Sequence, residues 1–245
     1  MTGTTWLDSR MLALDFETTG TDPDTARIVA AAVVLVGGDQ PPVTGTWIVD
    51  PGVDIPDEAT AIHGITTDRA RAEGVTPQAA LTDVVNHLVD HLAKGLAVVV
   101  FNARYDLTVL DRECARHDVD APAARLGAEL APVIDPFVID KHVNRYRRGK
   151  RTLPAMCQHY RVRHDGPHEA ANDAYAAARL AWRLPRAFPE LAATELPVLH
   201  QRQTEWAAAQ AASLQDYRRR TDPAAIVDGS WPLIPNQRTG EEPPR

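Results

Sequence analysis

Apolar and β-branched residues cluster in short segments along the first half of the chain. Five such segments predict strands, at residues 11–16, 28–36, 43–49, 96–101 and within 133–139. Two glycines and an aspartate at 37–39 separate the second and third segments, which predicts a hairpin. The segment at 96–101 is apolar throughout, as central strands of parallel sheets are. The pattern therefore favours a mixed sheet.

Apolar residues at helical spacing predict helices between and after these strands. The predicted helices cover residues 76–93, 103–116, 152–160, 170–182 and 196–220. In the first, Thr76 suits the N-cap and Pro77 the first turn. Its apolar stripe is Leu81, Val84, Val85, Leu88 and Leu92. The order of elements predicts an α/β fold with a mixed central sheet flanked by helices.

The chain is expected to divide near residue 185. Residues 1–185 contain all the predicted strands, and residues 186–245 form an extension that begins with the long helix at 196–220. From Trp231 onward the composition is proline-rich and polar, and this tail is expected to be extended or disordered.

Composition and charge narrow the class of protein. The 245 residues carry a net charge of −7, which by itself does not favour a nucleic-acid partner, since phosphate contacts come from Lys and Arg. Cys114 and Cys157 lie in apolar helical patterns and are expected to be reduced core residues. The start of the chain does not resemble a signal peptide, and the apolar run at 28–36 is too short for a membrane helix. We expect a cytoplasmic protein that does not bind membranes.

A basic segment at 141–151 interrupts this acidic background. Its sequence, KHVNRYRRGKR, contains six Lys or Arg residues and no acid. Such a segment is either a solvated surface or a track for a nucleic-acid strand. Under the second interpretation, Arg147 and Arg148 are expected to contact the strand.

Two acids interrupt the first predicted strand, in the sequence LALDFETTG at 12–20. Residues two apart project to the same side of a strand, so Asp15 and Glu17 share a face while Leu14 and Phe16 point into the core. Close carboxylates repel each other unless a cation lies between them or one takes up a proton. Oxygen ligands favour Mg²⁺ or Mn²⁺. The alternative interpretation is an edge strand with two solvated acids.

Two further groups of polar residues lie at predicted element boundaries. Asn102 and Asp106 follow the strand at 96–101, where ligands usually bind in open α/β sheets. His168 and Asp173 are five residues apart, and the Gly-Pro before His168 predicts that it lies in a loop or first turn, with Asp173 inside the helix. Both can then approach one site. An exposed loop histidine and an acid that stabilises the helix dipole are the alternatives.

Five motifs in one order carry a family resemblance. They are DFETTG at 15–20, IHGIT at 62–66, NxxxD at 102–106, the aspartate of Ile134-Asp135-Pro136, and HxxxxD at 168–173. Together they resemble the DEDD exonuclease superfamily, in the histidine subclass that includes the proofreading subunit of bacterial DNA polymerase III, RNase T and oligoribonuclease. The resemblance covers residues 10 to about 184 and implies an RNase H-like fold.

The resemblance implies a role for each matched residue. Asp15, Glu17, Asp106 and Asp173 would hold two divalent metal ions, Mg²⁺ or Mn²⁺, and His168 would be the general base for the attacking water. The residues assigned to substrate binding are Thr18, Thr19, Gly20, His63, Ile65 and Asn102, together with Arg147 and Arg148 of the basic segment. Asp135 is expected to be structural rather than a metal ligand.

The expected function is a 3′→5′ exonuclease that releases nucleoside 5′-monophosphates from a nucleic-acid 3′ end. Single-stranded DNA is favoured over RNA, in proofreading, replication or repair. One alternative is an RNA exonuclease similar to oligoribonuclease or RNase T. The other is a non-catalytic module that binds a polymerase or sliding clamp. Residues 210–217 faintly resemble a clamp-binding peptide, but fit better an amphipathic helix that packs Leu214 and Tyr217 on the domain.

Overall fold

A mixed five-stranded sheet forms the centre of the fold in this computed structural model, which describes residues 6–236. The strands are β1 (Arg10–Thr18), β2 (Ile28–Gly37), β3 (Val43–Ile48), β4 (Val98–Val100) and β5 (Val133–Ile134). Their order in the sheet is β3-β2-β1-β4-β5. β1, β2 and β3 pair antiparallel, whereas β1, β4 and β5 are parallel. The predicted mixed sheet and its hairpin are therefore confirmed.

Helices cover both faces of this sheet. In the described part of the chain they are α1 (Asp57–His63), α2 (Thr67–Glu73), α3 (Pro77–Leu92), α4 (Ala103–Arg116), α5 (Pro122–Leu126), α6 (Pro136–Val143), α7 (Leu153–Tyr160), α8 (Ala170–Ala187), α9 (Pro189–Ala192) and α10 (Leu196–Arg218). The five predicted helices correspond to α3, α4, α7, α8 and α10. The other five have eight residues or fewer and are too short for a clear apolar period.

The two faces of β1 pack into different parts of the core. Leu12, Leu14 and Phe16 join a cluster with the apolar stripe of α3, as the alternation predicts. Met11 and Ala13, on the opposite face, pack with α8. Asp15 and Glu17 continue this second face beyond the point where apolar packing ends. The strand is thus anchored by burial on both faces, and its last residues are free to carry polar groups.

The C-terminal extension closes the outer edge of the sheet. Gln203 of α10 is fully buried; its amide donates to the carbonyl of Val133 at 2.9 Å and accepts from the backbone N–H of Asp135 at 2.7 Å. His200 accepts from the backbone N–H of Val133 at 3.1 Å. An unpaired edge strand is prone to pair with other chains, and these side chains satisfy its backbone groups.

The tail after α10 was expected to be extended or disordered, and its described part is an irregular segment that packs on the domain. Residues 222–236 contain no helix or strand, but Trp231 is only 6% exposed and the backbone N–H of Ile234 donates to Thr108 at 2.9 Å. Residues 231–236 therefore have the irregular backbone that the composition suggested but are packed on the domain; residues 237–245 lie outside the described part. The bulky indole, rather than composition, decides this packing.

The expected packing of Leu214 and Tyr217 on the domain was also wrong. These side chains are 39% and 66% exposed.

Cys114 and Cys157 are buried free thiols, as expected. Among the described helices, none combines the length and apolarity that a membrane crossing requires. The likeness of residues 210–217 to a clamp-binding peptide stays a prediction.

Candidate active site

Three carboxylates meet where β1 ends and α8 begins. One carboxylate oxygen from each of Asp15, Glu17 and Asp173 lies within 4.8 Å of the other two. Asp173 lies in the first turn of α8, which packs on the face of β1 that carries the two other acids. Local strand and helix geometry thus brings together residues that are far apart in sequence.

The fourth predicted acid, Asp106, lies beside this cluster but is not within the 4.8 Å group. It occupies the first turn of α4 and is 5% exposed. One of its carboxylate oxygens accepts a hydrogen bond from the backbone N–H of Phe16 at 3.3 Å, between the two acids of β1. Its negative charge is, after burial, the largest cause of the raised pKa of Asp15. The structure therefore couples all four acids electrostatically.

Burial and mutual repulsion raise the pKa values of these acids. Burial, followed by the charges of Asp106, Asp173 and Glu17, holds the pKa of Asp15 well above its usual range. Burial and the nearby Asp173 raise the pKa of Glu17 to about 7. A divalent cation would replace this repulsion by attraction. A set of carboxylate oxygens is the donor set that Mg²⁺ or Mn²⁺ prefers, so the residues present fit the expected metals.

His168 lies in the loop before α8, as predicted. It is exposed, and its backbone N–H donates to a carboxylate oxygen of Asp173 at 3.3 Å. Its φ of +66° lies in the left-handed region, which costs a non-glycine residue about 1 kcal/mol or more. The neighbouring Glu169 is exposed and accepts a hydrogen bond from Asn172 at 2.7 Å. His168 thus contacts the cluster through its backbone N–H, whereas the side chain of Glu169 pairs with Asn172.

His164 is a site residue that the sequence analysis missed. Its Nε2 lies 2.5 Å from the second carboxylate oxygen of Asp173, and its side chain is only 7% exposed. Both oxygens of Asp173 thus have partners within the loop at 164–168. Partners of this kind orient a metal ligand and tune its basicity. No spacing rule could have identified His164, because the loop folds back onto α8.

The turn at the end of β1 is held by a tyrosine. The hydroxyls of Thr18 and Tyr105 lie 2.6 Å apart, and both are within hydrogen-bond distance of the carbonyl of Gly20. Burial raises the pKa of Tyr105 to about 12, so the phenol keeps its proton at neutral pH. Thr19 accepts from the backbone N–H of Arg27 at 2.9 Å. The predicted substrate-binding turn is therefore rigid and linked to α4.

His63 is the last residue of α1, and Ile65 follows it in the turn after the helix. The backbone N–H of Ile65 donates to Nδ1 of His63 at 3.1 Å. Burial lowers the pKa of His63, and with Nδ1 as acceptor the proton lies on Nε2. In the described part of the chain, this buried Nε2 has no hydrogen-bond partner. The backbone of Thr18 lies close enough to this ring to oppose the lowering of the pKa of His63 by burial, so His63 adjoins the turn at the end of β1.

Asn102 lies between β4 and α4, with an exposed side chain and a left-handed backbone. The fully buried carboxylate of Asp135 accepts from the backbone N–H groups of Asn102 and Ala103 at 2.9 and 3.0 Å. Trp231 donates to the same carboxylate at 3.3 Å. Burial raises the pKa of Asp135 to about 6. Asp135 therefore has the structural position that was expected, holding the start of the helix that carries Asp106.

The two basic residues predicted to contact a strand have different environments. The Arg147 side chain is only 5% exposed and pairs with the fully buried Asp140 at 3.2 Å. Arg148 is exposed. A guanidinium held by a buried carboxylate cannot leave it without a large penalty, so the placement argues against Arg147 as a strand contact.

Comparison with known proteins agrees with this geometry. The model of a family of the RNase T type, described as exonuclease, matches residues 12–181. The chain belongs to this exonuclease family. Its DEDD-type motifs and mixed sheet place the exonuclease domain in the RNase H-like superfamily, as the resemblance implied. No curated protein sequence matches the chain.

Solved exonuclease I structures share the fold of this exonuclease domain. E. coli exonuclease I in complex with a dA16 oligonucleotide aligns with a TM-score of 0.63 and 20% identity, over 75% of this chain and 42% of that chain. Another exonuclease I structure, described as suggesting how processivity is achieved, aligns with a TM-score of 0.65 and 20% identity over the same shares. Exonuclease I from Methylocaldum szegediense aligns with a TM-score of 0.61 and 21% identity, over 74% and 41%. The chain thus spans less than half the length of these proteins.

Proposed function

We propose that this protein is a divalent-metal-dependent 3′→5′ exonuclease that acts on single-stranded nucleic acid, with DNA as the favoured substrate. It hydrolyses the terminal phosphodiester and releases nucleoside 5′-monophosphates. The observation that carries the proposal is the approach of Asp15, Glu17 and Asp173, whose carboxylate oxygens lie within 4.8 Å of one another. Membership of the exonuclease family supports it.

In this proposal the four acids, Asp15, Glu17, Asp106 and Asp173, hold two metal ions. Bound there, the ions supply positive charge for the attacking and leaving oxygens of the phosphodiester. His168 is the general base that takes a proton from the attacking water; its exposed position in a loop leaves it accessible to that water. The turn at Thr18–Gly20 and the adjoining His63 bind the terminal nucleotide.

DNA is favoured because the similar exonuclease I structures include complexes with dA16 and dT13 oligonucleotides. The identity to those proteins is low, so a direct comparison of substrates is required. The test is a panel of single strands with defined DNA or RNA 3′ ends, labelled at the 5′ end, incubated with Mg²⁺. The expected result is a ladder that shortens from the 3′ end, faster on DNA. A faster reaction on RNA would favour the alternative of an RNA exonuclease.

Matched variants separate catalysis from general damage. Asp15→Asn and His168→Ala should each reduce the rate by at least about 100-fold, because each removes a group from the reacting centre. Glu169→Gln removes an exposed carboxylate outside the cluster, and His87→Ala removes an exposed imidazole. Both control variants should retain the wild-type rate. Full activity of Asp15→Asn, or no mononucleotide from the wild type, would contradict the proposed function.

A further inference from the structure

The candidate active site lies at the carboxyl ends of the parallel strands, and this side of the domain extends past β5. Because β1, β4 and β5 are parallel, the acids of β1, Asn102 after β4 and Asp135 after β5 lie along one edge of the sheet. Past β5, helices α6 and α10 pack side by side and border a groove. The amide of Gln210 donates to the carbonyl of Val138 at 2.9 Å and ties the two helices together. The groove therefore begins on the active-site side of the domain.

Two adjoining cavities make up this groove. The inner cavity, of about 150 Å³, is lined by Asn102 and Arg104 at the start of α4, by the buried Asp135, and by the tail around Trp231, where Asp228 pairs with Arg104 at 3.0 Å. The outer cavity, of about 230 Å³, lies between α6, the basic segment and α10. Lys141 and Gln210 line both cavities. We call the two cavities together the α6–α10 groove.

The outer part of the α6–α10 groove is basic. Lys141, His142, Arg145 and Arg151 line it, and none of its lining residues in the described part of the chain is acidic. The nearby Asp140 is fully buried beneath the basic segment, where Arg147 and Arg151 pair with it. These pairs hold the segment in place while the cations of Lys141 and Arg145 face the groove. The whole chain has a net charge of −7, so this concentration of positive charge is confined to the groove and its surroundings.

Aromatic rings accompany the positive charges. His142 stacks on Trp206, with ring centroids 4.0 Å apart and an interplanar angle of 11°. Tyr146 lines neither cavity but adjoins Arg145, which lines the outer one, and its side chain is 89% exposed. Positive charges that follow a backbone, combined with aromatic faces on which bases stack, are the features that bind single-stranded nucleic acid. An acidic peptide would use the charges but would leave the exposed aromatic ring without a role.

We propose that the α6–α10 groove binds the single strand upstream of its 3′ end, several nucleotides from the reacting phosphodiester. Lys141 and Arg145 contact phosphates, and Tyr146 and the His142–Trp206 pair offer faces for bases. The C-terminal extension thereby supplies part of the substrate track. This inference rests on the proposed function and adds to it a preference for strands longer than a few nucleotides.

The test measures binding as a function of strand length. In an Asp15→Asn background, fluorescence anisotropy with Mg²⁺ gives the Kd of a labelled oligothymidylate of about twelve nucleotides and of one of about three. The double variant Lys141→Gln/Arg145→Gln should lower the ratio of long-strand to short-strand affinity about tenfold. For the long strand, it should also reduce the slope of the logarithm of the affinity against the logarithm of the salt concentration by about 1.4. This is about 0.7 for each of two lost phosphate contacts. Tyr146→Ala should lower the ratio several-fold.

The matched control is Lys94→Gln/Arg186→Gln. It removes the same charge from exposed positions outside the α6–α10 groove and should leave the ratio unchanged. Circular dichroism shows whether each variant is folded; Tyr146 is too exposed for its loss to unfold the chain. An unchanged ratio in both groove variants, or an equal loss in the control, would overturn the inference. If the wild type hydrolyses both strands but the Asp15→Asn protein binds both with equal affinity, the proposed function stands and only the groove inference fails. If the wild type hydrolyses neither strand, the proposed function fails.

Discussion

Glu17→Gln should stabilise the metal-free protein at alkaline pH while it abolishes activity. Glu17 is 8% exposed, and burial together with Asp173 raises its pKa from 4.5 to about 7. The folded state therefore keeps the proton to a higher pH than the unfolded chain does. As pH rises from about 4.5 to about 7 the unfolded chain binds fewer protons than the folded one, so the free energy of unfolding falls. Above about 7 this loss is complete.

The size of the effect follows from the two pKa values. The difference between about 7 and 4.5 corresponds to about 3 kcal/mol, at about 1.36 kcal/mol for each pH unit. This is an upper value, because solvent screens part of the charge. Glutamine keeps the shape of the side chain and removes the charge. The variant should therefore exceed the wild type in stability by up to about 3 kcal/mol near pH 8, and by much less near pH 5.

Urea denaturation in EDTA at both pH values measures this difference directly. Glu169→Gln, which changes an exposed acid beside the same helix, serves as the control and should match the wild type at both pH values. Added Mg²⁺ should stabilise the wild type more than Glu17→Gln, because a ligand that binds the folded state more tightly stabilises it more. Equal stability of wild type and Glu17→Gln near pH 8 would refute the electrostatic repulsion that this reasoning assigns to the cluster.

Three other variants test positions around the cluster. His164→Ala should weaken the apparent Mg²⁺ affinity about tenfold, since Asp173 loses an orienting partner; Mg²⁺ titration of activity measures this, and an unchanged midpoint would contradict it. Gln203→Ala should cost about 2–4 kcal/mol in urea denaturation, because it leaves buried backbone groups of β5 unpaired; a cost within error of zero would contradict it. Tyr105→Phe should raise KM several-fold through a looser turn at Gly20, and wild-type kinetics would contradict it.

Local patterns in the sequence predicted the parts of the site that depend on one element at a time. The alternation of β1 placed Asp15 and Glu17 on one face, because a strand has a period of two whatever surrounds it. The Gly-Pro before His168 correctly separated a loop histidine from Asp173 in the first turn of α8. The family motifs predicted which of these residues belong together.

Long-range packing decided what these patterns could not. Arg147 and Arg148 are adjacent and chemically identical, yet one pairs with a buried carboxylate and the other is exposed. Trp231 lies in a proline-rich segment for which composition predicts an extended or disordered chain, and its indole packs in an apolar cluster and donates to the carboxylate of Asp135. In each case the environment comes from a distant part of the chain, and composition carries no information about it.

By itself, the sequence determined the sheet, the main helices and the family motifs, because strand and helix periods and short motifs are local properties. Only the tertiary structure decided that His164 supports Asp173, that Tyr105 holds the turn after β1, and that α10 completes both the edge of β5 and a basic groove. These contacts join residues that lie up to 87 positions apart or meet across a folded loop. Their energy depends on burial and distance, which exist only once the chain has packed.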